Sequence, residues 1–329
     1  MPYVIIYAMN VVSLAVIRLF LITFLGFYLY KKKSIKKEVL DFLTSFVINF
    51  TIPSLIFSHL IENFLPGQRL SLGFFILLSI LIFFMGFLLA FIFSFKRKNK
   101  FRGEFISLVS FQNGGYLPIN LAFFLFSASQ REEFLNYIFL YILGYNVIMW
   151  SVGSFFIFKK KGESFKFKSI FTSPVISTVL ALSFVYTNTA RFVPSLILVP
   201  IKMIGDTSFV LSMIILGCWL AQISLSGLYK RLFIIGGASF LKLMALPCIF
   251  LLVVVKLKIF SLLGLFIILQ AAMPSAVSLP IIASLRKADS EFVSQGVLLT
   301  HLLSIFTIPL WLGLYLKFSG FTLLESFGL

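Results

Sequence analysis

The chain has 329 residues, of which 60% are hydrophobic and only 12% are charged. Its 28 basic and 11 acidic side chains cannot cover a soluble protein of this length, so the composition excludes an ordinary soluble domain. The net charge of +17 lies in short runs between apolar stretches, which is typical of membrane topology signals and excludes a nucleic-acid-binding surface. The sequence therefore predicts an all-α integral membrane protein.

We predict ten membrane-spanning helices, numbered here as spans 1–10, because a span needs roughly 20 apolar residues. The N-terminal stretch lacks the basic region and cleavage site of a signal peptide, so span 1 is expected to stay in the mature protein. The predicted spans are Val4–Tyr30, Val39–His59, Leu70–Phe95, Phe105–Ser127, Phe134–Phe158, Ile170–Thr187, Leu196–Ile223, Leu232–Val255, Phe260–Leu285 and Phe292–Leu316.

The number of basic residues differs sharply between the two sides of the predicted bundle. The connections from an odd span to the next even span carry 19 Lys and Arg residues, and the opposite side carries six. The positive-inside rule then puts the odd–even connections in the cytosol and both termini outside the cytoplasmic membrane. Five spans in each half give the halves opposite orientations, so we predict two inverted five-helix repeats, residues 1–158 and 159–329.

The fourth span of each half contains helix-breaking residues near its middle. Glycine weakens a helix, and proline also frees a backbone carbonyl, which is costly where lipid surrounds the chain. Paired breaks at matched positions favour a binding site at the membrane midplane, although incidental kinks are the alternative. The interrupting residues are Asn113, Gly114 and Gly115 followed by Pro118 in span 4, and Met273, Pro274 and Ser275 in span 9.

Several stretches together resemble a known family, in the right order along the whole chain. They are residues 113–121 of span 4, 272–278 of span 9, 299–311 of span 10, 215–221 of span 7, 146–150 of span 5, Lys242 with Pro247 in span 8, and Pro53 in span 2. This set is similar to the auxin efflux carrier family, which includes bacterial carriers of malate and malonate. One departure is that Pro118 and Asn120 stand where the family has Gly-x-Pro, so the proline lies two residues earlier here.

The resemblance implies a fold shared with bile-acid/sodium symporters, in which spans 4 and 9 cross at their breaks. It also implies a moving core of spans 3, 4, 5, 8, 9 and 10 and a scaffold of spans 1, 2, 6 and 7, often joined into a homodimer. An elevator-like motion of the core against the scaffold would then give alternating access to a small organic anion. Only the lipid bilayer and this anion are expected as partners besides the second copy.

Helix N-termini at the breaks offer N–H donors and partial positive charge, which suit a carboxylate. We therefore predict a substrate site at the crossing, with a scaffold wall from span 2, although helix–helix hydrogen bonding is an equal contender for each polar side chain. The predicted substrate-binding residues are Asn113, Gly114, Gly115, Pro118, Asn120, Gln270, Met273, Pro274 and Ser275 at the crossing, Asn49, Pro53 and Ser54 in span 2, and Asn146 in span 5.

Charged residues inside membrane spans are functional candidates by default. Asp206 is the only acid well inside the apolar pattern, and we predict that it couples transport to Na⁺ or H⁺ or pairs with Lys202 four residues earlier. Lys242 lies in the middle of span 8 and is the second coupling candidate. No catalytic group, metal site or cofactor is predicted.

Three other classes of protein fit the sequence less well than a transporter of organic anions. An intramembrane enzyme needs a Ser/His pair, paired aspartates or a metal cluster, and the sequence has two histidines and no such motif. An ion channel predicts repeated pore loops, which the sequence lacks. A sodium/proton antiporter is the runner-up, although spans 4 and 9 carry no carboxylate near their breaks. The identity of the substrate, the coupling ion and the direction of transport stay open.

Overall fold

The computed structural model describes residues 2–64, 69–95, 101–149, 157–158 and 171–320. Within these ranges the regular structure is helical, apart from one isolated β-bridge. The lysine-rich connections at 96–100 and 159–168, Trp150 and the predicted repeat boundary after Phe158 fall at or beyond the edges of these ranges, outside the described residues.

The described residues form helices that we label α1–α12 in chain order. They are α1 (Pro2–Lys31), α2 (Lys37–Asn63), α3 (Arg69–Phe95), α4 (Arg102–Ser110), α5 (Tyr116–Leu125), α6 (Ala128–Val147), α7 (Ser173–Tyr186), α8 (Ser195–Ala221), α9 (Leu228–Lys256), α10 (Leu262–Ala272), α11 (Leu279–Leu285) and α12 (Ser290–Ser319).

Six of these helices are long and apolar enough to cross a membrane by themselves: α1, α2, α3, α8, α9 and α12. Large apolar side chains cover the outside of the bundle, for example Leu21 at 62% exposure and Phe306 at 75%. Such a surface is stable in hydrocarbon rather than in water. The chain is therefore a multi-pass membrane protein, as its composition predicts.

Hydrogen bonds show which helix ends lie together. The starts of α4, α9 and α12 meet where Asp289 accepts from the Arg231 guanidinium at 3.3 Å and its N–H donates to Glu104 at 2.9 Å. We call this end the basic face, because α1 ends and α2 begins there at lysines. At the other end, the opposite face, the Lys202 ammonium of α8 lies 2.6 Å from Glu62 of α2.

Two of the long helices contain a wide π-helical turn, Val47–Thr51 in α2 and Leu241–Ala245 in α9. A proline, Pro53 or Pro247, follows each turn by two residues. A proline lacks the N–H for the carbonyl four residues earlier and clashes with it, so the helix widens there. In α9 that carbonyl belongs to Leu243, and it accepts instead from Trp311 Nε1 at 2.7 Å.

Helices α1 and α8 touch backbone to backbone along a seam of small residues. A Cβ placed on Gly217 would lie 1.8 Å from the Thr23 carbonyl oxygen, and one on Gly26 would lie 2.1 Å from the Ile214 oxygen. The thiol of Cys218 donates to the Gly26 carbonyl at 3.2 Å. Only glycine fits such a contact, which is typical of close helix pairs in membranes.

Candidate functional site

The predicted breaks divide two helices into halves, α4 with α5 and α10 with α11. The first unwound segment, residues 111–115, contains Gly114 and Gly115, and the second, residues 273–278, contains Pro274. Met273 is extended, with ψ 141°, because the ring of the following proline disfavours a helical conformation. The local sequence therefore ends each helix near the middle of the bundle.

The two unwound segments satisfy each other's backbone groups. Asn113 N donates to the Pro274 carbonyl at 2.7 Å, and Ala276 N donates to the Phe111 carbonyl at 3.0 Å. Gln112 and Ser275 lie opposite each other in this short antiparallel bridge. In a membrane interior every unpaired backbone group costs several kcal/mol, so the pairing stabilises both breaks at once.

Two adjacent residues of α12 form hydrogen bonds with the two unwound segments. Thr300 Oγ1 accepts from Ser275 N at 3.3 Å, and His301 Nε2 lies 3.3 Å from the side-chain nitrogen of Asn113. The Asn113 oxygen accepts from Leu117 N at 3.4 Å, which assigns the orientation of this amide. His301 Nε2 is then the acceptor, and its Nδ1–H donates to the Val297 carbonyl at 2.8 Å.

Further hydrogen bonds tie each half-helix to the other break. Ser275 Oγ donates to the Leu108 carbonyl at 2.6 Å, near the end of α4. Gln270 Nε2, near the end of α10, donates to the Gly114 carbonyl at 3.1 Å. Both side chains are buried, so they act as structural supports of the crossing in this conformation.

Sequence reasoning missed an aromatic group on α6 that contacts the first unwound segment. Gln112 Nε2 donates to the Tyr141 hydroxyl, and the Tyr145 hydroxyl donates to the Gln112 carbonyl. Tyr141 and Tyr145 are one helical turn apart and therefore lie on the same face of α6. The four-residue spacing of the two tyrosines is visible in the sequence. No local pattern indicates that this face of α6 contacts Gln112, 29 residues before Tyr141.

A cavity of about 350 Å³ lies on the basic-face side of the crossing. Its walls come from α2, both unwound segments, the start of α5, α6 and the start of α7, and Asn49 and Phe171 at its margin are exposed. Five of the predicted site residues line this cavity: Asn49, Asn113, Gly114, Gly115 and Asn146. No Lys, Arg, Asp or Glu side chain is among the described residues that line it.

The other predicted site residues lie away from the cavity wall. The second unwound segment lines it through Ala276, Val277 and Ser278 rather than through Met273, Pro274 and Ser275. Asn120 donates to Ser212 Oγ of α8 at 3.0 Å. Pro53, Ser54, Pro118 and Gln270 are likewise outside the lining.

The wall formed by α2 and α7 is held by two hydroxyl groups. Ser173 Oγ donates to Asn49 Oδ1 at 2.7 Å, and Ser177 Oγ donates to the Pro53 carbonyl at 2.6 Å. Pro53 does not line the cavity, but its backbone carbonyl helps to hold α7 against α2. These bonds join two helices that the resemblance assigns to the scaffold.

The two ion-coupling candidates lie in different environments. Asp206 is exposed in α8, and the direct ion pair of Lys202 is with Glu62, 140 residues away, while Asp206 stays within electrostatic range of the same ammonium. The i, i+4 spacing does not identify the direct partner of Lys202, because the packing of α2 against α8 brings the Glu62 carboxylate to the ammonium. Lys242 is fully buried in the π-helical turn of α9, and its ammonium has no hydrogen-bond partner among the described residues.

At the opposite face, α2 and α6 are joined directly. His59 Nε2 donates to the Glu132 carbonyl at 3.0 Å, which leaves Nδ1 as the acceptor for the Asn63 amide at 3.3 Å. Asn136 Nδ2 donates to the Asn63 carbonyl at 3.2 Å. We call these contacts the seal, because they close the gap between α2 and α6 on the side away from the cavity.

An apolar multi-helix bundle, with two interrupted helices paired beside an internal cavity, has the construction of a membrane transporter. The family model described as membrane transport protein matches residues 11–170 and 162–312, which together include both unwound segments. The chain therefore belongs to this family, the auxin efflux carrier family, and the resemblance seen in the sequence is confirmed. No curated protein matches the chain by sequence.

Proposed function

We propose that the protein is a secondary transporter that moves a small organic anion across the cytoplasmic membrane, with its substrate site in the cavity at the crossing. The observation that carries this proposal is the pairing of the two unwound segments beside a cavity of about 350 Å³. A volume of this size suits a small organic molecule. Membership of a family of membrane transport proteins supports the same conclusion.

The polarity of the cavity supports an anion with a single charge and an apolar body. The start of α5, at Gly115 and Tyr116, contributes the N–H groups and partial positive charge of a helix N-terminus. The amides of Gln112, Asn113 and Asn146 add donors, whereas the rest of the lining is largely apolar. A dianion would enter without a full countercharge, so a monocarboxylate is the better fit.

We further propose that the ten predicted spans form two inverted repeats, residues 1–158 and 159–329, that cross at α4/α5 and α10/α11. The antiparallel bridge between the two breaks supports this arrangement. Transport then follows an elevator motion of the core against the scaffold. The seal at the opposite face and the cavity at the basic face support assignment of this conformation as inward-open, with both termini outside the cell.

Dimerisation through the scaffold helices is part of the same proposal. Helices α1 and α8 expose large apolar side chains away from the bundle, including Phe24, Leu25 and Leu196. Such residues are stable against lipid or against the same surface of a second copy. Chemical crosslinking in native membranes distinguishes these two environments.

Coupling to Na⁺ or H⁺ is proposed through Asp206 or Lys242, and a cation antiporter is the second candidate function. One observation favours the antiporter. The side-chain oxygens of Gln112 and Gln270 are buried near the crossing without a hydrogen-bond partner in the part of the chain that the structure describes, and amide oxygens are ligands for hard cations. An antiporter would bind Na⁺ or H⁺ without requiring any organic anion.

The test is a thermal-shift measurement on purified protein with monocarboxylates of increasing apolar size, dicarboxylates, and Na⁺ at two pH values. A ligand at 100 times its Kd stabilises the folded state by about 2.7 kcal/mol. We expect monocarboxylates to raise the melting temperature of the wild type and of Asn10→Ala, a control on α1. Asn113→Ala and Asn146→Ala should lose that shift, whereas a response to Na⁺ or pH alone would favour the antiporter.

A further inference from the structure

A second concavity of about 530 Å³ lies on the membrane-facing side of the bundle, close to the basic face. It is lined by the end of α3, the start of α4 and the first four turns of α9. Its walls are mainly apolar and include four phenylalanines, of which Phe93, Phe233 and Phe240 are each more than half exposed. This groove is separate from the cavity at the crossing and shares no lining residue with it.

Two consecutive glycines of α9 keep the groove open. Among the described residues, a Cβ on Gly236 would meet nothing within 4 Å, and one on Gly237 would lie 3.9 Å from the Phe105 ring. Each glycine inside a helix costs roughly 1 kcal/mol relative to alanine. None of the helices α1–α12 approaches these positions closely enough to require glycine, unlike Gly217 at the α1–α8 seam. Their effect is to leave space along the groove for an external molecule.

A cation lies at the end of the groove next to the basic face. Arg102 lines the groove, and its guanidinium stacks over the Phe91 ring at 4.8 Å. Four further basic residues, Lys96, Arg97, Lys98 and Lys100, immediately precede it in the sequence. Basic pockets between membrane helices on this side bind the headgroups of anionic lipids.

We propose that this groove is a binding site for a phospholipid with an anionic headgroup. The headgroup phosphate contacts Arg102, and an acyl chain lies along the phenylalanine walls over Gly236 and Gly237. A second copy of the chain is a poorer occupant, because a symmetric contact would bring two such basic regions together. The proposal does not depend on the substrate or on the transport mechanism.

The experiment is native mass spectrometry of the full-length, delipidated protein with phosphatidylglycerol or phosphatidylcholine of matched acyl chains. One basic contact is worth about a fivefold preference for the anionic lipid. We expect the wild type to retain one phosphatidylglycerol per chain with at least this preference. Gly237→Leu should lose both lipids, and Arg102→Gln should bind both lipids equally.

Matched controls separate the groove from the general membrane surface. Gly73→Leu changes a glycine of α3 that also has nothing within 4 Å, and Arg191→Gln removes a cation that stacks on Phe192 at 4.8 Å. Both controls should bind lipid like the wild type. Gly236→Leu replaces Gly237→Leu if the latter lowers the melting temperature. Equal retention by groove and control variants, no headgroup preference in the wild type, or a dimer in place of bound lipid would each overturn the proposal.

Discussion

At the opposite face, α2 packs directly against α6, whereas at the basic face the same two helices are held apart by the cavity. The sealed end uses His59 and Asn136, each of which donates to a backbone carbonyl of the other helix. The open end has Asn49 of α2 and Asn146 of α6 on facing walls of the cavity. The comparison indicates that the α2–α6 interface is where the proposed elevator motion must make and break contacts.

The largest expected effect comes from locking the seal. Cysteines at Asn63 and Asn136, joined by a short bismaleimide in a background with Cys218 and Cys248 replaced by serine, would prevent α2 and α6 from separating. We expect uptake of the best-binding monocarboxylate into proteoliposomes to fall roughly 100-fold, because the outward-open state becomes inaccessible. Each single-cysteine variant treated with the same reagent is the control. Undiminished uptake by the crosslinked protein would show that α2 and α6 do not separate during transport.

A smaller effect is expected from weakening the seal without a crosslink. Asn136→Ala removes the donor to the Asn63 carbonyl, and the loss of one hydrogen bond is worth about 1 kcal/mol, or roughly a fivefold change in population. The measurement is the rate at which an impermeant thiol reagent added at the opposite face labels Val277→Cys in the cavity. That rate should rise about fivefold in Asn136→Ala and stay constant in Asn10→Ala. A constant rate in both variants would remove this bond from the seal.

The smallest effect is expected at the Lys202–Glu62 ion pair. Its partners are 49% and 28% exposed, and exposed pairs contribute roughly 0.2–1 kcal/mol. Glu62→Gln should therefore raise the same labelling rate less than Asn136→Ala does. High salt should cancel the difference from the wild type, since salt screens an exposed pair. A larger effect than that of Asn136→Ala would show that this α2–α8 ion pair, which lies outside the seal, controls access to the cavity more strongly than the seal does.

The parts of the fold that depend on local chemistry were predictable from the sequence. Apolar length predicts membrane helices, and the Gly114-Gly115 and Pro274 positions coincide with the unwound segments. These features are local, because a proline lacks its N–H and a glycine weakens a helix in any context. The family resemblance is confirmed by the family model that matches residues 11–170 and 162–312.

The parts that depend on distant partners were not predictable. Gln112 contacts Tyr141, and Lys202 contacts Glu62, across 29 and 140 residues of chain. Helix spacing favoured Asp206 as the partner of Lys202, but the packing of α2 against α8 supplied another acid. The cavity also uses Ala276–Ser278 instead of the polar residues just before them, because the bridge turns Ser275 toward Leu108. The function of each predicted site residue stays a prediction.

The glycine seam between α1 and α8 has a consequence for synthesis in the cell. Cys218 lies 192 residues after its partner Gly26, and ribosomes add about 5–20 residues per second. The first helix therefore waits roughly 10–40 s in the bilayer before the eighth is made. During that interval lipid covers the surface of α1 beside Gly26, and this lipid must leave before the seam can close.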